Sequence, residues 1–470
     1  MELLSPAGNL TKLKIALLYG ADAVYFGGKD ASLRSNAEFS IEDLASALEY
    51  VHSFNSANVI PAKAGTPRAC GTPETNPKAY ITANIFPHNR DLGFLKEYIQ
   101  EAARANPDGL IISDLGVFDL CQKYAPNVPI HISTQANNTN YQSALKWHEM
   151  GAKRIILARE LTLDEIKEYR ENTPESLELE VFVHGAMCMG YSGRCLISSY
   201  LTGRDANCGS CAQPCRWEYS SQSSVVSNQG ENNDLSLILT NGNHIIEVQE
   251  NSPHKQLTTD YRLPTTSGTF FLNSNDLCLI EHLAELEKIG INSIKIEGRN
   301  KSEYYVAATT KAYRTALDNP DKPFDNTLLS ELEKVSHRPY VYNFGELTQN
   351  YGSSNYIRSS EVMGIVAEQE AFDNTTSSRA SAERATRDPQ SVRDTVEKNL
   401  IPCFQRGKIL AGDSLEILTP SGPNISIENA EIFDPLTFEP IESTPHAEMP
   451  FYLKSPLPAP PNSFIRKKTI

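Results

Sequence analysis

The segment Glu2–Phe26 reads ELLSPAGNLTKLKIALLYGADAVYF and shows the pattern that decides the fold. A short strand-like run at its start precedes a stretch of helical period at Leu10–Leu18, and a second apolar run follows at Ala23–Phe26. Apolar runs of strand length that alternate with amphipathic helices are typical of parallel βαβ units.

The same alternation continues to about residue 183. The predicted strands are 2–4, 23–26, 80–83, 110–112, 130–132, 154–157 and 179–183, and the predicted helices are 10–18, 41–54, 92–105, 115–124, 141–150 and 163–169. An eighth run, Ser293–Ile296, would close a barrel. The sequence therefore predicts an α/β fold of the (β/α)8, TIM-like type, with an open doubly wound sheet as the competing architecture.

Polar or glycine residues follow these strands, at the end where a barrel of this type carries its active site. Each of these residues is also typical of a helix cap or a turn. Taken together, however, they would surround one end of the barrel, its mouth. They are Ser5, Gly27, Asn84, Ser113, Ser133, Gln135, Arg159, His184 and Glu297.

The chain divides into two predicted domains. Residues 1–340 form the barrel domain, with inserts near 61–77 and 220–267, the second of which reads as a β-hairpin. Residues 341–470 form a small antiparallel β-barrel domain, with an insert near 370–398 that reads as a mobile loop or an exposed helix. Its predicted strands are 362–366, 407–410, 413–418 and 425–427.

Composition narrows the class of protein. The 470 residues suffice for two or three folded units, and no apolar run reaches the roughly 18 residues of a membrane span. We therefore expect a soluble cytoplasmic protein without membrane contact. The formal net charge of -15 argues against broad, charge-driven wrapping of nucleic acid, although a local basic groove remains compatible with it.

Cysteines concentrate directly after the seventh predicted strand. Six of the nine lie between residues 188 and 278, whereas Cys70, Cys121 and Cys403 stand apart and read as buried apolar residues. Four thiolates suit either a tetrahedral zinc ion or an iron–sulfur cluster. Cys208 and Cys211 form the only Cys-x2-Cys pair, so the geometry of a zinc knuckle is only partly matched and a cluster is favoured. Buried thiols are the remaining alternative.

Several motifs together resemble peptidase family U32, whose members are named as collagenase-like proteases. The motifs are ELLSPAGN at 2–9, YFG at 25–27, HGAMC at 184–188, SGRC at 192–195, CAQPCRW at 211–217 and IEGR at 296–299. The resemblance covers most of the chain, and its cysteine motif is highly specific.

The resemblance implies two incompatible activities. The family name implies a peptidase, for which Cys188 activated by His184 is the available pairing. Other branches carry a 4Fe-4S cluster and perform oxygen-independent hydroxylation of ubiquinone precursors, of a ribosomal RNA cytidine or of the tRNA wobble uridine. The chain is most similar to the last branch, which implies tRNA as substrate, prephenate as hydroxyl source, and a partner protein of the same family or an electron donor.

The resemblance also implies site residues. The implied cluster ligands are Cys188, Cys195, Cys211 and Cys278, with Cys215 as a substitute for one of them, and Cys208 is left out. We assign catalytic roles to His184, Glu297 and Arg194. Because a dicarboxylate and RNA phosphates both need cationic partners, the predicted substrate-binding residues are Arg159, Lys295, Arg299 and Arg216, together with Tyr191.

Aromatic side chains are candidates for stacking on a nucleobase, namely Tyr25, Phe26, His131 and Tyr191. The basic end Arg466–Lys468 of the β domain is a candidate contact to the body of a tRNA, with a merely stabilising lid as the alternative.

Overall fold

The first part of the protein alternates strands and helices. The structure, a computed structural model, describes residues 1–28, 30–33, 39–54, 76–223, 235–241, 244–248, 269–346, 348–379 and 399–469. Its first strands are β1 (Glu2–Pro6), β2 (Ala23–Phe26), β3 (Lys78–Ala83), β4 (Gly109–Ile112), β5 (Ile130–Ile132), β6 (Arg154–Ile156) and β7 (Glu178–Ala186). Between them lie α1 (Leu10–Leu18), α2 (Ile41–Ser53), α3 (Leu92–Arg104), α4 (Leu115–Tyr124), α5 (Tyr141–Met150) and α6 (Leu163–Glu171).

An eighth parallel strand closes these strands into a barrel. The next elements are α7 (Ile197–Thr202), β8 (Glu218–Ser223), β9 (Leu235–Asn241), β10 (His244–Val248), β11 (Asp276–Cys278), α8 (Leu283–Ile289), β12 (Ser293–Ile296), α9 (Glu303–Leu317), α10 (Thr327–Leu332) and β13 (Tyr340–Val341). Strand β12 pairs in parallel with both β1 and β7. The predicted (β/α)8 barrel is therefore confirmed, and the open sheet is wrong because its two edge strands would stay unpaired.

Two additions sit beside the barrel. Strand β11 runs antiparallel to the end of β7 and carries β13 on its other side. Strands β8, β9 and β10 form a separate antiparallel sheet, which confirms the predicted hairpin within 220–267. The predicted insert at 61–77 lies outside the described residues except for its last two.

A seven-stranded antiparallel sheet follows the barrel. Its elements are β14 (Ser360–Val366), α11 (Gln369–Arg379), β15 (Leu400–Gln405), β16 (Leu415–Leu418), β17 (Ile425–Ile427), β18 (Ile432–Phe433), β19 (Pro450–Lys454) and β20 (Phe464–Lys468), and the strand order is β17-β16-β20-β14-β15-β19-β18. Helix α11 occupies the start of the predicted insert at 370–398, whose residues from 380 onward are not described.

The predicted strand at 407–410 is wrong. Only Leu410 makes an isolated bridge, to Ser443. The backbone N–H of Ile409 donates to the Thr444 hydroxyl at 3.0 Å. The N–H of Thr444 donates back to the carbonyl of Ile409 at 3.0 Å, and the Thr444 hydroxyl takes the place of the second backbone partner, so the pairing stays too short for a strand.

Side-chain caps explain where the barrel helices begin. Asn9 accepts a hydrogen bond from the N–H of Lys12 and caps α1. Thr162 and Glu165 form a reciprocal capping box at the start of α6. Such caps satisfy N–H groups that have no partner within the helix, so the start of each helix is fixed locally. Among the described helices, none has the length and apolar character needed to cross a membrane.

The barrel interior contains charge as well as apolar side chains. Arg154, which is 3% exposed, lies 2.7 Å from Glu2 and 2.9 Å from Glu180. The ammonium of Lys295 lies 3.0 Å from the other oxygen of Glu180. Buried charges need such partners because their desolvation is costly, and here they pair with one another inside the barrel.

Candidate functional site

The cysteine-rich loop lies across the carboxyl ends of the barrel strands. It begins directly after β7, and the N–H of Ser192 donates to the carboxylate of Glu160, just after β6, at 2.8 Å. Gly193 rests against the backbone carbonyl of Gln135, which follows β5. These contacts fix the loop over the mouth that the sequence predicts as the site.

Four thiols of this loop lie close enough to influence one another. Burial raises the pKa of Cys195, and the charges of Cys188 and Cys211 raise it further. Burial likewise raises the pKa of Cys215 to about 12, again with contributions from Cys188 and Cys211. Four neighbouring thiolates repel one another unless a positively charged centre lies among them, so this group is suited to hold metal.

The spread of these thiols fits a centre larger than one ion. A tetrahedral zinc ion with Zn–S bonds of about 2.3 Å holds its sulfurs about 4 Å apart. Within the described ranges, no three of the four sulfurs lie within 4.8 Å of one another. The all-sulfur donor set and its wider spacing therefore fit an iron–sulfur cluster.

Cys278 lies in different surroundings. It is 1% exposed, stands opposite His184 in the β11–β7 pairing, and is hydrogen-bonded to the hydroxyl of Tyr313. Burial raises the pKa of its thiol to about 12. Strand β11 directs Cys278 into an aromatic cluster, whereas Cys215 lies with the other three cysteines. The ligand set that the resemblance implies stays a prediction, and the geometry favours Cys215 as the substitute that it allows.

His184, predicted to be catalytic, belongs to the same aromatic cluster. Its ring centroid lies 5.4–5.9 Å from those of Tyr305, Tyr313 and Tyr340. Burial lowers its pKa to about 3, against a smaller opposing effect of Asp276. Its imidazole is thus neutral at pH 7, which argues against a general acid. Its burial among three tyrosines gives no support to a base for Cys188.

The residues after β12 face Tyr25. The Tyr25 hydroxyl donates to the carbonyl of Ile296 at 2.9 Å and lies 3.3 Å from a carboxylate oxygen of Glu297. Arg299 is 5% exposed and donates to Thr82 at 3.0 Å and to Ser32. Glu297 and Arg299 thus lie together at the mouth, as the sequence predicts.

Lys295 is not available to substrate. It is 3% exposed, pairs with Glu180, and lies 4.2 Å from the ring centroid of Tyr25. Burial lowers its pKa, and Glu180 offsets part of that effect. The position of Lys295 on a barrel strand directs its side chain inward, so its surroundings give no support to its predicted role in binding substrate.

Arg159 does lie beside the cysteine loop. One of its terminal nitrogens donates to the carbonyl of Ala186 at 2.8 Å, and its guanidinium stands 5.4 Å from the ring centroid of Phe182. Its buried Nε has no hydrogen-bond partner among the described residues. A buried donor without a partner is rare, and an anion at the mouth would satisfy it.

Two cations share one aromatic ring beside the cysteines. Arg216 donates to the hydroxyl of Tyr356 at 2.6 Å, and the ammonium of Lys301 lies 3.9 Å from the centroid of the same ring. Arg216 also lowers the pKa of Cys215, so this group, which we call the cation–tyrosine rim, borders the four thiols. Sequence reasoning missed Lys301 and Tyr356, because they lie far from the cysteines along the chain and carry no local motif.

The four aromatic residues predicted to stack on a nucleobase differ in their exposure to solvent. Tyr25, Phe26 and His131 are buried, and His131 packs on Tyr80 at 4.8 Å between ring centroids. Tyr191 is 59% exposed, and Arg194 is also exposed. Only Tyr191 of the four predicted aromatic residues thus offers an open face to a nucleobase.

Comparisons with known proteins agree with the motifs. The family model described as peptidase family U32 matches residues 8–63 and 69–354, and that of the U32 C-terminal domain matches 391–466. The chain is 35% identical to tRNA hydroxylation protein P of Haemophilus influenzae, covering 91% of this chain and 88% of that one. It is 36% identical to the Escherichia coli protein of the same name, covering 92% and 89%.

A further relative acts on a different RNA. The Escherichia coli protein named 23S rRNA 5-hydroxycytidine C2501 synthase is 30% identical, covering 68% of this chain and 39% of that one.

Proposed function

The chain belongs to peptidase family U32, and on this premise we propose that it is an RNA-hydroxylating enzyme rather than a peptidase. In full, we propose oxygen-independent formation of 5-hydroxyuridine at the wobble position of tRNA, with a 4Fe-4S cluster and prephenate as hydroxyl source. The observation that carries the proposal is the group of four thiols, Cys188, Cys195, Cys211 and Cys215, over the barrel mouth.

The four cysteines would hold the cluster, which supplies electrons or a Lewis-acidic iron at the mouth. The protein's own part is to bind and orient the two substrates next to it. Arg159 offers a buried N–H to a carboxylate of the donor, and Arg299 adds positive charge on the other side of the mouth. Glu297 lies beside Tyr25, where it can orient the polar edge of a base.

The RNA would approach from the side of the exposed aromatic and basic residues. A base in an anticodon loop is already unpaired, so it can enter a pocket without the opening of a duplex. Tyr191 offers a stacking face, and Arg194 together with the cation–tyrosine rim offers positive charge to the phosphates.

The peptidase alternative receives less support. A cysteine nucleophile needs a lowered pKa and a neighbouring base. His184, the base that this alternative assigns to Cys188, is instead buried among Tyr305, Tyr313 and Tyr340.

Anaerobic purification followed by iron and sulfide analysis tests the cluster and its ligands. We expect the wild type and Cys278→Ser to retain iron and sulfide, and Cys215→Ser to lose most of both. Cys121→Ser, whose thiol is buried in α4, is the matched control. Retention by Cys215→Ser with loss in Cys278→Ser would contradict our ligand set.

Nucleoside mass spectrometry of tRNA tests the reaction. In a strain that lacks the gene, we expect 5-hydroxyuridine derivatives to be absent, restored by the wild type and not by Cys215→Ser. A strain unable to make prephenate should lack the same nucleosides while the purified protein keeps its iron. Normal tRNA in the deletion strain together with lost gelatin cleavage would instead establish the peptidase.

A further inference from the structure

A second group of metal-ligand residues lies at the barrel mouth, outside the four-cysteine site. We propose that His88, Asp205 and Cys208 bind one divalent ion of the zinc type. One imidazole nitrogen, one carboxylate oxygen and the Cys208 sulfur all lie within 4.8 Å of one another. Within the described ranges, this is the one group of three or more such residues at that spacing.

The fold brings the three side chains together from two loops. His88 lies in the loop after β3. Asp205 caps the short turn Ala206–Cys208 of the cysteine-rich loop, and Cys208 is the last residue of that turn. The N–H of Phe86 donates to the carbonyl of Asn207 at 3.0 Å. The thiol of Cys208 donates to the carbonyl of Phe86 at 3.2 Å. The backbone bond between Phe86 and Asn207 holds the two loops together, whereas the thiol bond would be given up when Cys208 loses its proton to bind a metal.

The donor set selects the class of ion. Calcium and magnesium prefer oxygen ligands, whereas zinc accepts nitrogen, sulfur and oxygen together. Three protein ligands leave one of four tetrahedral positions for water or another group. The N–H of Asn207 donates to one oxygen of Asp205 at 2.8 Å, which orients the carboxylate and leaves its second oxygen for the ion. His88 is exposed, so an ion can reach the site from solvent.

The same three residues could suggest a cysteine nucleophile with a histidine base, but the surroundings of the thiol argue against it. The Cys208 thiol donates to the backbone carbonyl of Phe86 at 3.2 Å. A cysteine nucleophile needs its thiol hydrogen-bonded to the histidine base. A divalent cation between Asp205 and Cys208 would offset the repulsion between their negative charges, which favours the metal.

Metal analysis of purified protein tests the site. The variants are His88→Ala, Asp205→Asn and Cys208→Ser. The control is His446→Ala, because His446 is an exposed histidine in the region of the C-terminal sheet. Zinc, iron and sulfide are measured on the same samples. We expect about one zinc per chain in the wild type and control and almost none in the three variants, with iron unchanged.

His88→Ala separates this site from the four-cysteine site, since His88 offers no ligand to the latter. Zinc content unchanged in His88→Ala and Cys208→Ser would overturn the proposal. Loss of iron in all three variants would overturn it as well, since Cys208 would then belong to the cluster. Neither outcome depends on whether the protein hydroxylates RNA.

Cobalt provides an independent readout on protein freed of zinc by a chelator. A thiolate bound to Co²⁺ gives a charge-transfer absorption that a histidine or carboxylate ligand does not. We expect the thiolate charge-transfer absorption to appear when Co²⁺ is added to the wild type. The absorption of one thiolate should be missing from the spectrum of Cys208→Ser, and the spectrum of His446→Ala should match that of the wild type. An identical spectrum for Cys208→Ser would show that the thiol is not a ligand.

Discussion

At the scale of single residues, Gly193 holds the cysteine loop against the barrel. Its φ is +74°, and a Cβ built on it would lie 2.0 Å from the carbonyl oxygen of Gln135. No side chain fits there, because the neighbouring atom is backbone and cannot rotate away.

We therefore predict that Gly193→Ala lifts the loop off the mouth. The variant should lose most of its bound iron and its tRNA modification, while its circular dichroism remains that of a folded barrel. Gly203→Ala is the matched control, since its φ is +67° but nothing lies within 4 Å of a Cβ there. The control should cost only about 1 kcal/mol of backbone strain. Equal iron contents in both variants would contradict the prediction.

Lys301 is a second residue whose role follows from its surroundings. Burial lowers its pKa to about 8, with Asp276 opposing and Arg216 adding to the effect. Its positive charge is complete well below pH 8 and is lost as the pH rises through 8.

If Lys301 contacts RNA phosphate, binding should weaken by about fivefold, or about 1 kcal/mol, between pH 7 and pH 9. The dissociation constant for an anticodon stem-loop, measured by fluorescence anisotropy across this range, provides the test. Lys301→Arg should remove this dependence, because a guanidinium stays protonated throughout. If the dissociation constants of the wild type and of Lys301→Arg depend on pH in the same way, Lys301 does not contact the RNA.

At the scale of elements, strand β20 is tied to the helices of the barrel. Arg466 is 1% exposed, lies 2.7 Å from Glu331 of α10, and also pairs with Glu416 of β16. It donates to the hydroxyl of Tyr304 in α9 at 3.1 Å. Lys467 pairs with Asp413. These pairings do not support the predicted basic RNA contact, because Arg466 serves the interface between sheet and barrel.

Loss of this arginine should therefore destabilise the protein. We expect Arg466→Met to lower the free energy of unfolding by about 2 kcal/mol, since among the described residues Glu331 and Glu416 then share only Lys334 as an ion-pair partner in the interface. Arg358→Met, which removes an exposed pair with Glu361, should cost less than about 1 kcal/mol. Urea unfolding followed by tryptophan fluorescence compares them, and equal midpoints would contradict the interface role.

At the scale of the whole molecule, charge limits how RNA can bind. The formal net charge is -15, so most of the surface repels phosphates. Positive charge near the four thiols is local, and the described cations there that border the thiols or are exposed to solvent include Arg194, Arg216 and Lys301. Binding should thus rest on a few phosphate contacts together with stacking.

The salt dependence of RNA affinity measures the number of those contacts. With about 0.7 counterions released per contact on a single strand, three contacts predict a slope of about -2 for log affinity against log salt. Arg194→Ala should make the slope shallower by about 0.7, whereas Arg406→Ala, on the C-terminal sheet, should leave it unchanged. A wild-type slope steeper than about -5 would show that a much larger basic surface is involved.

The local sequence pattern was enough to predict most of the helices and strands. The helices at 10–18, 115–124 and 141–150 have the predicted limits, and each predicted barrel strand lies within or beside an observed one. Hydrophobic period, caps and turn residues act between near neighbours in the chain, so they can be read without the fold. The strand at 407–410 failed because Thr444, a residue distant in sequence, supplies its hydrogen bond.

The sequence by itself determined the barrel, the antiparallel sheet that follows it, the family, and the placement of a cysteine-rich loop after the seventh strand. Only the tertiary structure decided which thiols meet, that Lys295 points into an ion pair, that His184 lies among tyrosines, and that Lys301 and Tyr356 border the site. Those outcomes depend on contacts between segments tens to hundreds of residues apart. Such contacts arise from strand closure and loop docking, which leave no periodic signal in the chain.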